Sequence, residues 1–140
     1  MTDITRSIEI SASVEKVWLC IHPQNWTKIF NFVKGVNGFT NGKAGLGTRA
    51  EVVAGKDDLT AIKYNVEITE FLEHQKIAYR RYGGPLTGKG VIQLKSLPNG
   101  TLLTRTAHYD DALSEQTIEA LSEDIEYDNF RIKKIVEEGD

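Results

Sequence analysis

The residues best suited to binding or catalysis are arginines and tyrosines that alternate with apolar residues in strand-like runs. In the run 101–109, Arg105 and Tyr109 share one face, because successive side chains of a strand point to opposite sides. The other face carries Thr104, Thr106 and His108, which is typical of a solvent face. We therefore expect Arg105 and Tyr109 to point inward, where a guanidinium or a phenol can polarise a carbonyl group or move a proton.

Three other runs alternate in the same way, at 60–71, 76–82 and 91–97. Their inward faces combine aliphatic side chains with tyrosines and one more arginine. We expect these faces to line a hollow. Its candidates on these runs are Tyr64, Val66, Tyr79, Arg81, Ile92 and Leu94.

A long helix predicted at 114–138 carries an apolar stripe that is interrupted at Asp128 and Asn129. A polar side chain turned toward a core needs a partner, because burial without one is costly. We hypothesise that one of the two faces the cavity and pairs with Arg105, Arg81 or a polar group of a ligand. The alternatives are that helix rotation places both at the solvent edge, or that they form a purely structural ion pair.

Other chemistries have little support in the sequence. The histidines His22, His74 and His108 are scattered, and Cys20 has no partner at metal-ligand spacing. The glycine-rich run 83–90 lacks the ending and the strand-to-helix context of a phosphate loop, so we interpret it as a hairpin loop. We predict no metal and no cofactor, and we assign no catalytic residue.

The elements that must position these residues follow a simple order. A half-buried strand at 5–11 precedes two short helices, the first capped by Ser13 and the second beginning near Pro23. About six glycine-punctuated strands follow, and then the long helix, capped by Ser114. The pattern predicts an α+β fold, in which a curved antiparallel sheet wraps around a long C-terminal helix. Trp26 and Phe30 in the second short helix and Ile125 in the long helix then face the interior.

Composition limits the alternatives. A chain of 140 residues with 40% hydrophobic and 26% charged residues fits one globular domain, 1–140. The net charge of −3 argues against a nucleic-acid partner, since phosphate binding needs a positive field. Cys20 is the single cysteine, which favours a reducing compartment. The sequence shows neither a signal-peptide pattern nor an apolar stretch of membrane-spanning length, so we expect no membrane span and a cytoplasmic location.

Several segments carry a resemblance to a known family. They are SASVEKVWLCI with its Val17-Trp18 pair, Trp26, GLGTRAEV at 45–52, PNGTLLTRTAHY at 98–109 and DNFRIKKIVEE at 128–138. In this order they resemble the START-like superfamily, also called SRPBCC, and within it the polyketide cyclase/dehydrase and lipid-transport proteins. The resemblance covers about residues 4–138 and implies the helix-grip fold, with seven strands around the helix. It also implies a cavity for hydrophobic ligands such as lipids, sterols or polyketides, but no particular reaction.

Three functions are compatible with these features. The favoured one is binding of a small apolar or amphipathic ligand between the sheet and the long helix. The second is an enzyme of the cyclase or dehydratase type, and the third is a protein-interaction module like that of related co-chaperones. The candidate cavity residues are Trp26, Phe30, Tyr64, Val66, Tyr79, Arg81, Ile92, Leu94, Arg105, Tyr109, Ile125, Asp128 and Asn129.

Overall fold

Long β-strands joined by short turns form one antiparallel sheet. A computed structural model describes residues 1–31, 33–37, 45–54 and 62–138. Its strands are β1 (Thr2–Ile10), β2 (Val33–Asn37), β3 (Arg49–Ala54), β4 (Ile62–Leu72), β5 (Lys76–Tyr82), β6 (Gly88–Leu97) and β7 (Gly100–Tyr109), and its helices are α1 (Val14–Cys20), α2 (Trp26–Ile29) and α3 (Glu115–Glu138).

Within the described residues, the sheet has seven strands in the order β1-β7-β6-β5-β4-β3-β2. Only β1 departs from sequence order, because it pairs with β7 over its whole length, from Thr2 opposite Tyr109 to Ile10 opposite Thr101. This pairing explains why β1 begins three residues before the predicted strand. The predicted helix-grip fold, a curved antiparallel sheet with a long C-terminal helix, is confirmed.

Both predicted helix caps form the expected hydrogen bonds. Oγ of Ser13 accepts the backbone N–H of Lys16 at 3.3 Å at the start of α1. Oγ of Ser114 accepts the backbone N–H of Thr117 at 3.2 Å at the start of α3. Each bond satisfies one of the backbone donors that the first turn of a helix leaves without a partner.

The glycine-rich run 83–90 differs from its predicted form as a hairpin loop. β6 already begins at Gly88, which pairs with Arg81 of β5 and with Tyr109 of β7. Gly88 has a φ of +141°, and a side chain there would collide with the backbone carbonyl of His108. The strand can therefore start so early only because this residue is glycine. Part of the glycine-punctuated region, with Gly38 and Gly42, and the first two residues of the strand predicted at 60–71 lie outside the described residues.

The helix α3 packs on one face of the sheet, and its buried residues are Ser122, Ile125, Asp128, Asn129, Ile132 and Val136. A large apolar cluster joins Ile132 and Val136 to both short helices and to most strands. A smaller one consists of Ile4, Ala107, Tyr109 and Ile125, which belong to β1, β7 and α3. None of the helices in the described part of the chain has the length and apolar character required to cross a membrane.

Candidate functional site

A pocket of about 90 Å³ lies between the sheet and α3. Its walls include members of both apolar clusters, so it lies where the two clusters meet. This volume accommodates several water molecules or one small organic group. The residues that line it are Trp26, Phe30, Val33, Val52, Tyr64, Val66, Tyr79, Arg81, Arg105, Ala107, Tyr109, Leu121, Asp124, Ile125 and Asp128.

Two other depressions, of about 330 and 260 Å³, are larger but more open to solvent. One lies between the loops at 11–15 and 96–100, and the other lies beside Asn31 and the helix residue Tyr127. Ligand sites are usually concave and walled by apolar and aromatic side chains with a few convergent polar groups. The pocket beneath α3 fits that description best, although it is the smallest of the three, and we treat it as the candidate site.

On the sheet side, the alternation of β7 sets the position of Arg105. Odd-numbered residues from Thr101 to Tyr109 are buried and even-numbered residues are partly exposed. Arg105 is 8% exposed, and its Cζ lies 4.3 Å from the centre of the Phe30 ring. A guanidinium over an aromatic face is attracted by the ring quadrupole, so Phe30 helps to hold this cation in the pocket wall.

Asp128 of α3 faces Arg105 across the pocket wall. Its Oδ2 lies 3.6 Å from Nη1 of Arg105, and its Oδ1 accepts the backbone N–H of Asn31 at 3.3 Å. Asn129 turns to β1 instead, where its Nδ2 donates to the carbonyl oxygen of Arg6 at 3.4 Å. The structure therefore places Asp128, and not Asn129, beside an arginine at the pocket.

Burial changes the pKa of the Asp128 carboxyl group. Desolvation raises its pKa above the ordinary value of 3.8, although the Arg105 charge and the N–H of Asn31 act in the opposite direction. The attraction of Arg105 and the hydrogen bond from Asn31 therefore do not fully offset the desolvation of the carboxylate. Among the described residues, Nη1 of Arg105 is a buried donor without a hydrogen-bond acceptor, because 3.6 Å is too long for a hydrogen bond.

Arg81 is held in a different way. It is 5% exposed, and its Cζ lies 4.2 Å from the centre of the Tyr109 ring. Its Nη2 donates to the carbonyl oxygen of Lys89 at 2.7 Å and also to the carbonyl oxygen of His108. These acceptors belong to β6 and β7, the two strands that follow β5 in the sheet. They fix the guanidinium against the sheet at the end of the pocket where Tyr109 lies.

Tyrosine side chains supply neutral polar groups. Burial raises the pKa of Tyr64 and of Tyr109, so both phenols stay protonated at neutral pH. The Tyr79 ring lies against Gly90 of β6, where a Cβ atom would lie 2.5 Å from Cε2 of that ring. Because Gly90 has no side chain, the Tyr79 ring can occupy this part of the wall. The site as a whole combines apolar surface with two cations and neutral donors.

Ten of the thirteen candidate residues line the pocket, and Ile92, Leu94 and Asn129 do not. Ile92 and Leu94 are buried in the larger apolar cluster, farther along β6 than Gly90. Five pocket residues were not among the candidates. The sequence held one signal for Asp124, which lies one helical turn before Asp128 and hence on the same face of α3. The other four are Val33, Val52, Ala107 and Leu121.

The described part of the chain shows no geometry that would bind a metal ion. No group of three or more His, Cys, Asp or Glu side chains is arranged there to bind an ion. The pocket instead combines a partly open, largely apolar volume with a few polar groups, which is an arrangement suited to organic ligands.

Comparison with solved structures identifies the same fold in proteins of low sequence identity. A START superfamily protein from Mycobacterium smegmatis has a TM-score of 0.72 at 15% identity, with 97% of each chain covered. A protein from Thermus thermophilus has a TM-score of 0.77 at 15% identity, with 96% of this chain and 97% of that one covered. The Aha1 dimer of Colwellia psychrerythraea gives 0.71 at 15% identity, with 99% and 98% covered.

The sequence comparisons give two results. No curated protein sequence matches the chain significantly. The profile of the family described as "Polyketide cyclase / dehydrase and lipid transport" matches residues 1–137, almost the whole chain. Because this match covers nearly all of the sequence, the chain belongs to the polyketide cyclase/dehydrase and lipid transport family.

Proposed function

We propose that the protein binds a small, largely apolar organic molecule in the pocket between the sheet and α3. The observation that supports this most directly is the pocket wall, in which aromatic and aliphatic side chains surround two arginines and a few neutral donors. Such a wall excludes water from an apolar ligand and orients it through few polar contacts. Membership of a family that includes lipid-transport proteins supports the same function.

The size of the pocket restricts the proposal. Its volume of about 90 Å³ lies well below the roughly 300–1,000 Å³ that is usual for ligand pockets. We therefore expect a ligand of one or two rings, or of comparable aliphatic size. A longer lipid would have to displace side chains such as Tyr79, at a cost that lowers its affinity.

The test is a titration with the neutral two-ring dye 1-naphthylamine, followed by its fluorescence. The variant Ala107→Phe places an aromatic ring in the pocket from β7, where Ala107 is 4% exposed. Thr106→Phe places the same ring on the opposite face of the same strand and is the matched control. We expect the wild type and the control to bind the dye and Ala107→Phe to lose binding.

Two results would contradict the proposal. One is that the wild type does not bind the dye. The other is that a folded Ala107→Phe variant binds it as well as the wild type does. Native mass spectrometry of freshly purified protein complements the titration, because a molecule that co-purifies with the wild type and not with Ala107→Phe identifies the ligand directly.

A second candidate function is an enzyme of the cyclase or dehydratase type. The observation in its favour is that Asp128, a carboxyl group with a raised pKa, lies in the same wall as Arg105 and the protonated phenols. A carboxyl group and a neighbouring cation can transfer a proton to a leaving hydroxyl group and polarise a carbonyl group. Incubation with a β-hydroxy thioester tests this, and loss of one water by mass spectrometry, abolished in Asp128→Asn, would support it. The interaction module stays a prediction.

A further inference from the structure

We propose that the ligand is an organic acid whose anionic oxygen group pairs with Arg81 while its apolar part fills the pocket. This inference rests on the proposed ligand-binding function and specifies the ligand class. It follows from a difference between the two buried arginines of the pocket.

Among the described residues, Arg105 forms an ion pair with a carboxylate, whereas Arg81 forms none. Oδ2 of Asp128 lies 3.6 Å from Nη1 of Arg105, so the charge of that guanidinium is opposed within the protein. Among the described residues, no carboxylate oxygen forms an ion pair with the Arg81 guanidinium, whose contacts are two backbone carbonyl oxygens and the Tyr109 ring. These groups are polar or polarisable, but none carries a negative charge.

A buried cation in that state favours an anion. Arg81 is 5% exposed, and its charge loses most of its hydration without gaining a described ion-pair partner. Its guanidinium has several N–H donors, and the described residues provide acceptors for those of Nη2 only. Nε is a buried donor without an acceptor in that part of the chain. A ligand carboxylate would supply both the missing charge and the missing acceptors.

The carboxylates of the pocket lie on α3, and their position sets where an anion can bind. Asp124 and Asp128 line the wall from α3, whereas the Arg81 guanidinium is held against the sheet beside the Tyr109 ring, so the ligand's charge belongs on the sheet side of the pocket. Tyr109 follows Arg105 by four residues along β7, a distance of about 13 Å at the rise of a β-strand. Since burial raises the pKa of Tyr109, its hydroxyl group remains a donor that can share the anion with Arg81.

The experiment compares acids with neutral molecules of the same shape. The probes are benzoate with benzamide and 2-naphthoate with 2-naphthamide, and isothermal titration calorimetry measures their dissociation constants near pH 7. We expect the wild type to bind the better-fitting acid at least about tenfold more tightly than its amide, as is typical for a hydrogen-bonded charge. This comparison needs no substitution, so it decides the matter even if variants fold poorly.

A pair of variants then locates the effect. Arg81→Met removes the charge and keeps much of the volume, so we expect acid and amide to bind it equally well. Arg80→Met alters the neighbouring arginine, which pairs with Glu67 on the other face of the sheet, and should keep the wild-type preference. An Arg81→Met variant that still prefers the acid would overturn the assignment to Arg81.

The remaining outcomes separate this inference from the function on which it rests. Equal affinity of the wild type for acid and amide would overturn the organic-acid inference, while the binding of the amide would still support a ligand pocket. If neither the four probes nor the neutral naphthylamine dye bind to the wild type, the ligand-binding function itself is wrong.

Discussion

Nη1 of Arg105 lies 3.6 Å from Oδ2 of Asp128, and the two side chains are only 10% and 11% exposed. The pair joins β7 to α3 at the pocket wall, and Oδ1 of Asp128 extends the link to the backbone of Asn31 after α2. A charge pair removed from water stabilises a fold only if both members stay in place. Several expectations about stability depend on this pair.

Removing one member should cost far more than removing both. We expect Asp128→Ala to lower the free energy of unfolding by about 3 kcal/mol, because Arg105 is then a buried and uncompensated cation. The double variant Arg105→Met, Asp128→Leu should recover most of the loss, since it replaces both charges with apolar groups. Urea denaturation measures both, and Lys134→Ala at an exposed pair with Glu138 should change stability by less than about 0.5 kcal/mol. A double variant that is no more stable than Asp128→Ala would contradict the coupling.

The raised pKa of Asp128 predicts the sign of a pH effect. The folded protein holds this proton more tightly than the unfolded chain does, so the carboxyl group favours folding below pH 3.8. That contribution is lost as the pH rises through the raised pKa of the folded state. Urea denaturation at a series of pH values should therefore show the wild type losing stability relative to Asp128→Asn as pH rises above 3.8. A constant difference would show that the Arg105 charge balances the effect of burial, and a change in the opposite direction would show that it outweighs burial.

His22 should show the opposite dependence. Burial lowers the pKa of its imidazole below 6.5, and the charge of Glu73 acts more weakly in the other direction. The ring packs against Trp18 and Phe71, with ring centres 5.5 and 5.6 Å away. The neutral form stabilises the fold above pH 6.5, and this contribution is lost as pH falls through the lowered pKa. An NMR titration of the imidazole C–H signals should give a midpoint below 6.5, and a midpoint at or above 6.5 would refute the expectation.

Gly90 should be sensitive to a single methyl group. In Gly90→Ala the new Cβ would overlap the Tyr79 ring, which can escape only by moving away from β6. We expect a loss of about 1–3 kcal/mol in stability and weaker binding of the naphthylamine dye, because Tyr79 moves into the pocket. Gly35→Ala is the control, since a Cβ at Gly35 meets nothing within 4 Å. Unchanged dye binding by Gly90→Ala would mean that the Tyr79 ring does not shape the pocket.

The single thiol should react slowly in the folded protein. Burial raises the pKa of Cys20 to about 11, so only roughly one molecule in a thousand carries a thiolate at pH 8. We expect an aromatic disulfide reagent to modify Cys20 slowly at pH 8 and rapidly once urea unfolds the chain, as followed by absorbance. Rapid modification of the folded protein would show that the thiol is activated by its surroundings.

Strand periodicity predicted the position of Arg105 and Tyr109, because the burial of β7 alternates without a break from Thr101 to Tyr109. A break in the apolar stripe of α3 likewise identified Asp128 as a residue near the core. Periodicity did not distinguish Asp128 from Asn129, since both are buried and a helix turns by only about 100° per residue. That choice depends on the Arg105 guanidinium and the N–H of Asn31, which come from elements distant in sequence.

The volume of the pocket was not predictable from the pattern. Ile92 and Leu94 follow the same alternation as Gly90, yet they pack into the core beyond the pocket. At Gly90 itself, the Tyr79 ring occupies the space that a side chain would fill. Side-chain placement of this kind depends on three-dimensional packing, which a one-dimensional sequence of residue types does not specify.

The pairing of β1 with β7 also has a kinetic consequence. Thr2 lies opposite Tyr109, so the sheet is completed only when two segments far apart in the sequence meet, which is a costly loop closure. Folds dominated by such non-local pairs fold slowly, on the millisecond-to-second scale. We infer that a truncated polypeptide lacking β1 would leave the β7 edge of the sheet unpaired.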